Sequence, residues 1–192
     1  MSLLDQLKHA LGHDGVQQIS QKLGTDQAST DTAVNAAFPV LIGALARNAS
    51  TPNGATALNS ALSEHDGSAL DNVTSVVNNP ESHGAGGILA HILGNRSPAI
   101  ANGIGQASGI NASQATSLLS MLAPLVMGAL GKAQRGGNLD PGSLASMLGR
   151  EHQTNASSGA LGGLMGMLDS NHDGSITDDV IGMAGKFLGR NQ

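Results

Sequence analysis

The sequence predicts an all-α protein: two repeated multi-helix units and a C-terminal helix-loop-helix, about ten or eleven short helices in all. Three observations lead there. Apolar residues recur at three- and four-residue spacing almost throughout, and strand signals are nearly absent. Clusters of Gly, Asn, Ser and Pro cut that pattern into short segments. One stretch also recurs, without gaps, 85 residues further along the chain (109 − 24 = 85).

The opening residues read as a helix with Leu4, Leu7 and Leu11 on one face. Gly12 ends it, and a second short helix follows to Gly24. The segment 33–46 carries no charge until Arg47 and contains Pro39 and Gly43, so it reads as a buried helix that the proline should kink or split, at a cost of about 3 kcal/mol. A closing helix follows, matched at Ala61, Leu62, Glu64 and His65. These features recur in the second unit. Gly24, Pro39, Gly43, Ala44 and Leu45 align with Gly109, Pro124, Gly128, Ala129 and Leu130. Upstream, His9, Leu11 and Gly12 correspond to His91, Leu93 and Gly94; downstream, Leu62 and His65 correspond to Leu148 and His152. The units are placed at residues 1–65 and 89–152, joined by a linker at 66–88 with one short helix. A flexible polar stretch at 153–158 leads to the helix-loop-helix at 158–192, whose two helices resemble a third, truncated copy. Pro-x-x-x-Gly is read as the point where the two central helices cross at Gly43 and Gly128.

Composition narrows the function. The chain of 192 residues has 27 Gly, seven Met and only two aromatic residues, Phe38 and Phe187. Charged residues make up 12%, where about 25% is usual. A core of this kind packs helices closely through small side chains. The net charge is −5 with no Lys/Arg cluster, which argues against nucleic acid and anionic membrane as partners and leaves an unnamed protein as the expected one. The absence of cysteine excludes disulfides and thiolate chemistry. The first nine residues lack the features of a signal peptide, and the apolar run 118–131 is shorter than a span of ~30 Å of hydrocarbon needs. A cytoplasmic protein off the membrane is therefore expected, with its oligomeric state left open.

Two stretches carry a family resemblance. Leu23-Gly24-Thr25-Asp26 leads into Phe38-Pro39 and Ala44-Leu45, and Gly109-Ile110-Asn111 leads into Ala123-Pro124 and Ala129-Leu130. Both resemble the signature of the YidB-like bacterial family, a domain of unknown function: a Leu-Gly-(Val/Thr)-Asp turn, a Ser/Thr-rich helix start and an apolar helix with an internal proline. The likeness covers about residues 7–150, twice over. It implies an all-α bacterial protein and no particular activity. The second copy departs from the pattern at Ser108 and Asn111.

The motif with the clearest chemistry is at the C-terminal end. Residues 169–177 fit the first nine positions of an EF-hand calcium loop. Asp169, Asn171 and Asp173 supply oxygen at positions one, three and five, and Gly174 allows the sharp turn. Ser175 offers its carbonyl and Thr177 a water-assisted contact. Position twelve is Val180 rather than a bidentate Glu, so Asp178, Asp179 or water must close the shell, with Asp179 preferred by register. The expected ligands to calcium are thus Asp169, Asn171, Asp173, Ser175 and Asp179. The plainer reading is an Asx-rich turn capping the last helix; against it, four carboxylates within eleven residues repel one another without a cation.

Seven histidines invite a metal or acid–base reading. His9, His91, His65 and His152 are instead placed near helix C-termini, where imidazole suits the dipole. No hydrolase, nucleotide-binding or zinc-protease motif is present. The sequence is therefore read as a helical binding or structural module, not an enzyme, with one calcium-binding loop. The alternative is a hydrolytic enzyme whose cleft between the repeats gathers Glu64, His65, Glu151 and His152.

Overall fold

The computed structural model describes residues 2–158, and all regular structure among them is helical. The nine α-helices there are slightly fewer than the ten or eleven expected. The C-terminal helix-loop-helix, with all five expected calcium ligands, lies outside the described residues.

Helix α1 (Leu3–Leu23) opens on a capping box. Ser2 Oγ accepts from the Asp5 N–H at 3.0 Å, and the Ser2 N–H donates to the Asp5 carboxylate at 3.1 Å. Gly12, at φ 59° and ψ −177°, breaks the helical geometry and divides α1 into two arms, 3–11 and 13–23. Only glycine takes that φ cheaply. The second arm stops at Gly24, which is left-handed. Helix α2 (Gln27–Asn48) starts on Asp26, whose carboxylate accepts from the Ser29 N–H at 2.8 Å, and α3 (Pro52–Leu62) starts on Thr51 with proline in its first turn.

Short elements follow: α4 (Ser68–Asp71), α5 (Val73–Asn78) and a 3-10 turn at Pro80–His83. Then come α6 (Ala85–Leu93), a 3-10 turn at Gly94–Arg96, and α7 (Ser97–Ser108), closed by the left-handed Gly109. Helix α8 (Ala112–Gly137) opens on an Asn111/Gln114 capping box, and α9 (Pro141–Ser158) opens beside Asp140, which accepts from the Ser143 N–H at 2.8 Å. The two arms of α1, then α2 and α3, are thus followed by α6, α7, α8 and α9 in the same order. Positive-φ glycines stand at aligned points, Gly12 with Gly94 and Gly24 with Gly109.

The core lies around α2 and α8. Residues 121–131 of α8 are all buried, and Leu41, Leu45, Val126 and Leu130 are each at most 2% exposed. Both helices run unbroken through their prolines, so neither is split at Pro39 or Pro124. The missing backbone bond and the ring clash are offset by the apolar surface buried on either side.

Several expectations need correction. Helices α2 and α8 do pack together, but not through Gly43 and Gly128. A Cβ on Gly43 would stand 2.9 Å from the His152 ring of α9, and one on Gly128 would stand 3.2 Å from Ala69 of α4. The glycines admit other elements, not each other. The segment 66–88, expected as a linker with one short helix, holds α4, α5, the 3-10 turn at Pro80–His83 and the start of α6, and Val76 and Val77 are fully buried. Helix α9 continues through 153–158, where no Gly or Pro interrupts it. Met1–His152 form one compact unit, with the boundary at Gln153. Finally, α8 is long and apolar enough to cross a membrane, the one such helix among the described residues; 78% of its apolar window is buried in the protein, so that surface serves the core.

Candidate functional site

Two open grooves among the described residues meet at the Gly12 break in α1. The backbone leaves helical geometry there, and Leu11, Gly12 and His13 line both grooves. The larger groove, about 670 Å³, lies between α1 and α2 and is lined by Lys8, Leu11, His13, Val16, Gln27 and Asp31 among others. The smaller, about 420 Å³, lies between α1 and the α4–α5 segment, lined by His13, Asp14, Gln18, Asp71, Asn72 and Thr74 among others.

The polar groups are partly engaged with each other. Gln27 Nε2 lies 3.1 Å from His13 Nε2, and Asn35 Nδ2 donates to the Asp31 carboxylate at 3.1 Å. Gln18 Nε2 donates to Thr74 Oγ1 at 3.2 Å, while the buried Gln18 Oε1 makes no hydrogen bond among the described residues. These walls can accept and donate hydrogen bonds to a polar chain or small molecule. They set no nucleophile against the imidazole.

Of the four residues expected to form an enzymatic cluster, Glu151 and His152 serve other contacts. Glu151 Oε1 accepts from the Leu3 N–H at 3.0 Å and caps α1. The His152 ring covers Gly43. The carbonyls of Ser63 and His65, past the end of α3, accept from the Arg135 guanidinium at 2.8 and 3.1 Å. Burial lowers the His65 imidazole pKa; Glu64 and Asp66 oppose the shift, and Arg135 adds to it. Among the described residues no three His, Asp or Glu side chains gather as a metal site would require. The helix-terminus reading of the histidines holds for His91, in the last turn of α6, and fails for His152, since α9 runs on to Ser158.

Sequence reasoning missed a set of side chains that cap distant helix ends. Asn48 Nδ2 donates to the His91 and Ile92 carbonyls at 2.9 and 3.2 Å, closing α6. Gln114 Nε2 donates to the Leu23 carbonyl at 3.0 Å, closing α1. Such bonds satisfy the orphan carbonyls of a helix end. A lone Asn or Gln in a helix gives no local sign of a partner 43 or 91 residues away.

Comparison with curated proteins and with solved structures finds no match. Residues 5–133 match the model of a family described as bacterial protein of unknown function (DUF937). That match spans two thirds of the chain and includes α2, α7 and most of α8, and the chain belongs to this family.

Proposed function

We propose that the chain is a duplicated, YidB-like helical module that carries one calcium ion in the loop 169–179 and acts by binding or organising a protein partner. The observation that carries the calcium reading is the spacing of Asp169, Asn171, Asp173 and Gly174, followed by the Ser175 carbonyl and Asp179. The imperfect closing position and the lack of a paired loop put the affinity at roughly 10⁻⁵ to 10⁻³ M. The repeated helix order and the aligned positive-φ glycines support the duplication. The hydrolase alternative gains no support, since Glu151 caps α1 and His152 packs on Gly43. A location in the cytoplasm, away from membranes, rests on the acidity of the chain and its lack of a basic face.

Calorimetric titration with calcium tests the site. Wild-type protein should bind one ion, Asp173→Ala should bind none, and magnesium should bind poorly because it demands a tighter octahedral shell. Equal heats from wild type and Asp173→Ala would remove the site. Flotation with anionic vesicles tests the location, and a floating protein would overturn it.

A further inference from the structure

Residues 3–62 and 85–152 touch each other crosswise. At the end of α1, Gln114 from the first turn of α8 donates to the Leu23 carbonyl at 3.0 Å, just before the left-handed Gly24. Under the 85-residue offset Gln114 aligns with Ser29, in the first turn of α2, and Gly24 aligns with Gly109. The Ser29 hydroxyl lies 3.8 Å from where a Cβ would stand on Gly109, at the end of α7. Each long helix therefore begins at the C-terminal end of the other unit's second helix.

The other end of each long helix repeats the exchange. Gly43 of α2 is covered by the ring of His152 on α9. Gly131 of α8 is covered by the carbonyl of His65, immediately past α3. His65 and His152 are themselves the aligned histidines of the two units. Between these ends each long helix packs on both units. Helix α2 lies against α1 of its own unit and α6 and α7 of the other. Helix α8 lies against α6 and α7 of its own unit and α1 and α3 of the other.

The geometry points to an interlocked pair, in which each unit's long helix is the docking surface for the other unit's second and closing helices. The partner each surface fits is a second unit of the same kind. The chain is then the fused form of a two-fold dimer, and neither unit has a complete core alone. This inference rests on the duplication proposed above. It goes beyond it, because two copies side by side would be duplicated without being interlocked.

The test uses the full-length protein with a protease site inserted after Ser82, an exposed residue of the turn ahead of α6. After cleavage of the folded chain, the two pieces should elute together at the position of the uncut protein. They should melt in one transition whose midpoint rises with concentration, as expected of a two-chain unit. Gly131→Ala places a methyl against the His65 carbonyl, so the cut variant should separate at a dilution the parent survives. Gly103→Ala, with nothing within 4 Å of the new Cβ, should not. If Gly131→Ala does not fold, Arg135→Ala, which removes the bonds to Ser63 and His65, should show the same separation. Pieces that part and lose helicity together also bear out the interlock. Pieces that part and stay helical would overturn it, as would pieces that melt in two concentration-independent transitions. Either outcome leaves the duplication standing. The duplication fails separately, on an experimental structure in which residues 3–62 and 85–152 do not superpose.

Discussion

Two glycines show how contact chemistry, rather than burial, decides the effect of a methyl group. A Cβ on Gly43 meets the end of the exposed His152 side chain, which can swing away. A Cβ on Gly131 overlaps the backbone carbonyl of His65, which cannot. Gly43→Ala should therefore fall within about 1 kcal/mol of wild type, since the gain in helix propensity offsets the shift of His152. Gly131→Ala should lose about 1–3 kcal/mol through overpacking. Chemical denaturation of both variants checks this, and equal losses would contradict it. The acidic caps give a second test at this scale. Hydrogen bonds from Ser2, Ser29 and Ser143 hold the Asp5, Asp26 and Asp140 carboxyls below their ordinary value, as the Ser68 hydroxyl and N–H do for Asp66. A lowered folded pKa gives stability that is present above the unfolded value and lost as pH falls through the folded one. Melting temperature should therefore drop below about pH 4. Asp26→Asn keeps a good cap but cannot titrate, so it should shallow that acid limb and change little at neutral pH. An unchanged limb would show that the Asp26 bond contributes nothing.

At the scale of the element, apolar spacing and punctuation told most of the story. Gly12, Gly24 and Gly109 ended helices where the sequence said, because a positive φ has few other occupants. The charge-free runs around Pro39 and Pro124 were legible as buried helices. What they touch was not, because the partner of a small residue is set by the whole packing. Gly43 and Gly128 looked like a crossing point and turned out to face α9 and α4. The segment 66–88 looked like a linker with one short helix because Gly, Asn, Asp and Ser are frequent in it, yet Val76, Val77 and Ala85 are fully buried and dock it. The length of α8 was underestimated for a related reason. Its ends are polar, so the apolar run marks only the buried middle of a longer helix. Leu130, fully buried there, gives the prediction for this scale: Leu130→Ala should cost about 2–5 kcal/mol in equilibrium unfolding. A cost under about 1 kcal/mol would mean that the centre of α8 is not the core.

For the molecule as a whole, the 85-residue offset motivates the proposed duplication, and the contacts of Gln114, Ser29, His65 and His152 motivate the proposed interlock. The matches at an offset of 85 residues separate two units along the chain, whereas the folded residues 1–152 form one compact unit. Local spacing carries no sign of a partner far along the chain, and so the contacts of Gln114, Asn48 and Arg135 leave no mark in the sequence. The candidate calcium site is the reverse case. It is legible in the sequence because EF-hand ligands sit at fixed local spacings, and it lies outside the described residues. The most direct measurement of the central claim is therefore a calcium titration followed by the amide resonance of Gly174. The account predicts that this resonance shifts with calcium, saturates at one ion per chain, and stays in place in Asp173→Ala. A Gly174 amide unmoved by millimolar calcium would contradict it and leave the loop as a capped turn.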